Sequence, residues 1–159
     1  MEDIARKLFP TLPDEERLAL LRECCEFENG YVAEKGGILF DGLEETLAAL
    51  QEKAPLFIVS NCQSGYIEAF FKAHGLGRYF KDHEDPGRTG LDKAGNIRLV
   101  AERNGLRFPV YVGDTQGDCD SSKKAGVPFI FAEYGFGKVK EEDCDGIIRS
   151  IRELPGLFL

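Results

Sequence analysis

Three short runs in this chain are apolar at almost every position: Leu56-Phe57-Ile58-Val59, Pro109-Val110-Tyr111-Val112 and Val127-Pro128-Phe129-Ile130-Phe131. A strand with one wet face alternates polar and apolar residues, so a run that does not alternate is buried on both faces. Helix-length segments at 63–74, 93–103 and 117–125 lie between the runs, the first stopped by Gly75 and the second by Asn104-Gly105. This alternation predicts an α/β protein, a Rossmann-like parallel sheet flanked by helices. A helix over 43–53 leads into the first clear strand, 56–60. A short strand is expected near 79–82, and Gly146-Ile147-Ile148 reads as an edge strand before a helical turn at 151–154.

The first 35 residues are different in kind. Thr11-Leu12-Pro13-Asp14 has the form of a capping box, Leu18, Leu21 and Cys25 share a helical face, and Asn29-Gly30 reads as a helix stop. Gly36-Gly37 reads as a hinge. The 159 residues therefore divide into a helical piece, 1–35, and an α/β core, 36–159.

Composition excludes several classes of partner. A formal charge of −8 with no basic patch argues against nucleic acid and acidic membranes. The apolar runs are strand-sized, so no membrane span is expected, and the start lacks a signal-peptide core. Five cysteines, Cys24, Cys25, Cys62, Cys119 and Cys144, form no C-x-x-C pair. They read as reduced, small hydrophobes of a cytoplasmic protein rather than zinc ligands.

Chemistry concentrates where strands end. Tyr111-Val112-Gly113-Asp114-Thr115-Gln116-Gly117-Asp118 runs out of a strand into two carboxylates four residues apart. In open α/β sheets ligands bind at that end, and convergent carboxylates suit a hydrated Mg²⁺. Ser60-Asn61 ends an earlier strand and offers a hydroxyl and backbone N–H groups to a phosphate. Lys93 opens a helix after a glycine-punctuated loop, where its ammonium can neutralise an anion. Each also has a plain structural reading: turn and N-cap residues for Asp114 and Asp118, an ordinary cap for Ser60-Asn61, a solvated surface lysine for Lys93. Arg88 suits substrate contact or loop anchoring equally, Tyr134-Gly135-Phe136-Gly137 suits a site border or tight packing, and His74 and His83 read as structural or exposed.

Taken in order, Ser60-Asn61, Lys93 and Gly113-Asp114-Thr115-Gln116-Gly117-Asp118 resemble the haloacid dehalogenase-like hydrolases, closest to their phosphoglycolate-phosphatase-like branch. The resemblance covers about residues 30–155. Its strongest pieces are Ile58 through Tyr66, Gly87-Arg88-Thr89-Gly90-Leu91-Asp92-Lys93, and Tyr111 through Gly137, including Ala125-Gly126-Val127-Pro128. It implies that Ser60 and Asn61 hold phosphate, that Lys93 stabilises a phosphoaspartyl intermediate, and that Asp114 ligates Mg²⁺. Asp118 is implied as a second metal-site carboxylate, supporting the metal's water shell or Lys93. The implied reaction is Mg²⁺-dependent hydrolysis of small phosphomonoesters, with an attacking aspartate and a second aspartate as general acid and base.

Those two aspartates belong to an Asp-x-Asp-Gly motif on the family's first strand, and no Asp-x-Asp lies upstream of Ser60 here. The helices at 1–35 look like the tail of a helical cap, and the core looks to lack its first strand. Phe40-Asp41-Gly42-Leu43 is a partial substitute, with Leu43 where the acid–base aspartate belongs. Asp41 with Glu44 also makes a helix N-cap and capping box. An empty place in mid-sheet leaves backbone groups unpaired at about 1–3 kcal/mol each. Residues 36–41, a neighbouring chain by self-association, or an N-terminal fragment are therefore expected to fill it. Two functions follow: a phosphatase of small phosphorylated metabolites, inactive as this chain alone, or a non-catalytic module binding phosphate, metal or a partner.

Overall fold

A computed structural model describes residues 2–158. Helices α1 (Glu2–Leu8), α2 (Asp14–Lys35) and α3 (Leu43–Gln51) precede the first strand, β1 (Leu56–Val59). Then follow α4 (Tyr66–His74), β2 (Phe80–Glu84), α5 (Pro86–Thr89), α6 (Lys93–Arg103), β3 (Tyr111–Gly113), α7 (Gln116–Ala125), β4 (Phe129–Ala132) and β5 (Gly146–Ile148). A 3₁₀ turn, Ile151–Gly156, ends the described chain's regular structure.

Every strand pair is parallel, as the apolar runs require, and helices cover the strands. The layer is divided, however, into a two-stranded sheet, β1–β2, and a three-stranded sheet, β3–β4–β5. Between β1 and β3 lies an apolar groove of about 740 Å³, bordered by Phe57, Val59, Tyr111, Leu50, Val100 and Phe158. The expectation that residues 36–41 fill this place is not met. Ile38 is fully exposed, Phe40 packs edge-on against Tyr134 with ring centroids 5.0 Å apart, and Asp41 pairs with Arg152 at 3.1 Å.

Several local expectations need correction. Pro13, not Thr11, is the N-cap of α2, and no side chain caps it. The helix does not stop at Asn29-Gly30 but runs on to Lys35 and ends at Gly36, φ +66°. Asn29 is used elsewhere: α2 packs along α4, and the Asn29 amide donates to Ser64 O at 2.9 Å. Asp41 does not cap α3, because Gly42, φ +76°, takes the N-cap position. The helix expected from residue 63 begins at Tyr66 behind Gly65, and the strand expected at 79–82 is Phe80–Glu84. Of the five cysteines, all of them free, only Cys119 is buried.

Cys119 packs with Phe129 and Phe131 in one apolar cluster, while Leu50, Ala132, Ile148 and Leu154 form another beside the groove.

Candidate functional site

Asp118 is a buried carboxylate whose oxygens accept four hydrogen bonds. Gly113 ends β3, and a Cβ there would lie 2.7 Å from Asp118 Cβ, so only glycine lets the α7 carboxylate approach the strand end. Thr115 caps α7 in a reciprocal box: its hydroxyl oxygen accepts from Asp118 N at 3.2 Å, and Asp118 Oδ2 accepts from Thr115 N at 3.1 Å. The same Oδ2 accepts from the Thr115 hydroxyl at 2.7 Å and from Asp114 N at 3.3 Å. Asp118 Oδ1 takes the Lys93 ammonium in a tight ion pair whose two side chains are 7% and 11% exposed. Burial alone would raise this carboxyl's pKa, but the bonds from Lys93 and Thr115 outweigh it and hold the group below the usual carboxylate value.

Lys93 is placed by the start of α6, where Asp92 caps the helix by accepting from Gly95 N at 2.7 Å. Its ammonium lies 5.9 Å from the centre of the Tyr111 ring. The Tyr111 hydroxyl donates to Val59 O at 2.8 Å, one residue before Ser60. Burial, then the Asp118 and Asp114 charges, raise the Tyr111 pKa strongly, so the phenol stays neutral and a donor. Tyr111 thus ties the Ser60 strand end, Lys93 and the Asp114 strand end into one rim. Sequence reasoning assigned Tyr111 only to the strand; its aromatic ring in an otherwise aliphatic run was the available signal.

Asp114 stands at the mouth of this rim. Its Oδ2 accepts from Phe136 N at 2.8 Å, while Oδ1 accepts from no described residue. Cβ atoms at Gly135 and Gly137 would come within 2.3 Å of Asp114 Cβ and 2.2 Å of Asp114 O. The 134–137 loop therefore both packs tightly and borders the site, joining the two readings that sequence left open. Ser60 N donates to Glu84 O at 3.2 Å, and Asn61 is exposed, its N–H donating to no described residue.

Other candidates are engaged by partners of their own. His83 pairs with Glu68 at 3.1 Å, Arg88 turns to His83 at 3.1 Å, and His74 accepts from Gly37 N at 3.1 Å. Asp41, 94% exposed in its side chain, is held by Arg152. An Asp-x-Asp-Gly does occur at Asp143-Cys144-Asp145-Gly146, but it enters the amino end of β5, opposite the strand ends that carry Asp114. Among the described residues, no three His, Cys, Asp or Glu side chains converge as metal ligands. Asp118, expected as a metal-site carboxylate, has both oxygens engaged by protein donors. The open oxygen of Asp114 fits Mg²⁺ in the manner that ion favours, one or two carboxylates with retained waters.

Residues 1–132 match the family model described as haloacid dehalogenase-like hydrolase. The phosphoglycolate phosphatase of Escherichia coli (strain K12) is 32% identical over 167 residues, covering 93% of this chain and 62% of that protein. The phosphoglycolate phosphatase of Salmonella typhimurium is 28% identical over 140 residues, 79% of this chain and 52% of that protein. A predicted phosphoglycolate phosphatase from Haemophilus somnus 129PT has the same fold, with a TM-score of 0.79 at 20% identity over 99% of this chain and 74% of its own. The haloacid dehalogenase-like protein SP0104 of Streptococcus pneumoniae gives 0.78 at 18% identity, over 98% and 76%. The chain thus spans about three-fifths of the curated relatives it matches, and by sequence and fold together it belongs to the haloacid dehalogenase-like hydrolases.

Proposed function

We propose that this chain carries the phosphate- and metal-binding half of a phosphomonoesterase site, of the phosphoglycolate-phosphatase-like kind. The buried Lys93–Asp118 pair beside the open oxygen of Asp114 carries this reading. Asp118 and Thr115 fix the Lys93 ammonium at the rim, where it neutralises phosphoryl charge. Ser60 and the N–H of Asn61 receive the phosphate oxygens of a small phosphorylated metabolite. Asp114 Oδ1 with water holds Mg²⁺, which when bound screens the substrate's charge. Asp41 is bound to Arg152, Asp118 to Lys93, and the open oxygen of Asp114 is the one assigned to the metal, so none of these three carboxylates is left to attack phosphorus. Phosphoester hydrolysis needs rate gains of up to ~10²¹, and a site without its attacking carboxylate loses most of that, so under this reading the chain alone retains only a slow, Mg²⁺-dependent turnover.

That same observation favours a second reading, a module that binds phosphate and Mg²⁺ without turnover. Two measurements on the purified chain separate them: release of phosphate from an aryl phosphate with Mg²⁺, and binding of inorganic phosphate by calorimetry. Mg²⁺-dependent turnover lost in Asp114→Asn supports the enzyme. Phosphate binding without turnover supports the module, and absence of both refutes the site.

A further inference from the structure

The loop after β4 holds one aromatic ring out beside Asp114. Gly135 and Gly137 let the loop backbone lie against Asp114, since Cβ atoms there would come within 2.3 Å of Asp114 Cβ and 2.2 Å of Asp114 O. Phe136 stands between these two glycines. Its N–H donates to Asp114 Oδ2 at 2.8 Å, yet the residue is 94% exposed. Phe40, just before α3, lies 6.1 Å from it between ring centroids, tilted by 48°. Phe40 in turn meets the Tyr134 ring edge-on at 5.0 Å. Burial, then the Asp114 charge, raise the Tyr134 pKa, so this phenol stays neutral beside the carboxylate. A single exposed apolar residue is ordinary, but three rings in contact at the mouth of a polar site make a ligand surface.

We propose that Phe136, with Phe40 and Tyr134 behind it, is the leaving-group subsite, and that the ligand is an aromatic phosphomonoester whose ring lies on Phe136. This rests on the phosphate- and metal-binding reading above and adds the other half of the ligand. One ester oxygen separates phosphorus from the leaving group. A ring whose own backbone nitrogen bonds to Asp114 is within reach of that group once phosphate occupies the rim.

The chemistry of the surface selects the group. The faces of aromatic rings are negative and their edges positive, so Phe136 and Phe40 attract another ring and repel a carboxylate. A planar group on the face of Phe136 also meets Phe40 at a tilt and frees both rings from water. A second acidic group gains nothing there, which separates this ligand from a phosphorylated hydroxy acid. A second copy of the chain is a poorer occupant, because two copies each carrying a formal charge of −8 repel.

Calorimetry on the purified chain with Mg²⁺ tests this, using three phosphonates that cannot be hydrolysed. Benzylphosphonate mimics phenyl phosphate with a methylene for the ester oxygen, ethylphosphonate mimics methyl phosphate in the same way, and cyclohexylmethylphosphonate is the bulky non-aromatic control. Benzylphosphonate is expected to bind at least tenfold more tightly than ethylphosphonate and at least threefold more tightly than the cyclohexyl compound. Phe136→Ala should bring all three within about twofold, and Phe136→Tyr should keep the preference. Equal affinity of the wild type for the three compounds, with inorganic phosphate still bound, overturns the subsite and leaves the proposed function standing. A preference that survives in F136A overturns it too, as does a chain that is dimeric by sedimentation and becomes monomeric in F136A. If neither inorganic phosphate nor any phosphonate binds, the proposed function falls and the subsite with it.

Discussion

Lys93 and Asp118 show how one side chain can be indispensable to another. Substituting Lys93→Met leaves a buried carboxylate without its cation, and breaking such a pair costs about 3–5 kcal/mol. Urea denaturation of K93M should show that loss, and adding Asp118→Asn should recover part of it, because the stranded charge disappears. If the double variant is as unstable as the sum of the two singles, the pair is not coupled. The sign of the pH effect follows from the same bond. Asp118 titrates below its unfolded value, so its contribution is complete above about pH 4 and fades as pH falls through the depressed pKa. Wild type should therefore lose stability more steeply below pH 4 than D118N does, measured by circular dichroism across pH 2.5–6. Glycine positions give opposite expectations. A methyl at Gly137 would meet the Asp114 carbonyl at 2.2 Å, whereas Gly30, inside α2, has nothing within 4 Å. G137A should cost about 1–3 kcal/mol by overpacking. G30A should gain about 0.5–1 kcal/mol.

At the scale of elements, what could be read in the sequence follows how local each cause is. Helix α6 runs from Lys93 to Arg103, ending where its Asn104-Gly105 stop predicts, because that signal acts within one turn. Asn29-Gly30 failed as a stop because the loop before α4, far along the chain, claims the Asn29 side chain through Ser64 O. Asp41 failed as a cap for a similar reason, since Arg152 lies 111 residues away in sequence. In the site, Gly113-Asp114-Thr115 and Asp118 were legible as a motif because capping box and strand end are adjacent in the chain. Which carboxylate stays open was not legible, because that depends on Lys93 and on Phe136 N arriving from other loops. Tyr111 carries the one side-chain hydrogen bond recorded from β3 to β1 among the described residues. Tyr111→Phe should cost about 1 kcal/mol, the net worth of one hydrogen bond, in thermal or urea unfolding. Unchanged stability would mean that the hydroxyl does not join the two sheets.

For the molecule as a whole, the divided sheet sets how it opens. Hydrogen-exchange protection rises toward the global stability only where a strand is bonded on both sides and buried. β4 satisfies both conditions: it lies between β3 and β5, and Phe129 is 0% and Phe131 5% exposed. β1 satisfies neither, having β2 on one side, the groove on the other, and four half-buried residues. The helices repeat this asymmetry, since α7 packs on β3 and β4 while α4 leans on α2, which buries no residue of its own. The chain should therefore open in two steps, with the β1–β2 half and α4 exchanging at lower free energy than the β3–β4–β5 half and α7. Native-state exchange at low urea is the measurement, with Leu56–Val59 expected to exchange at least tenfold faster than Phe129–Ala132. A single protection level across both halves would mean that side-chain packing across the groove, through Leu56 and Val112 on Leu50 and Leu154, already couples the sheets without a shared ladder.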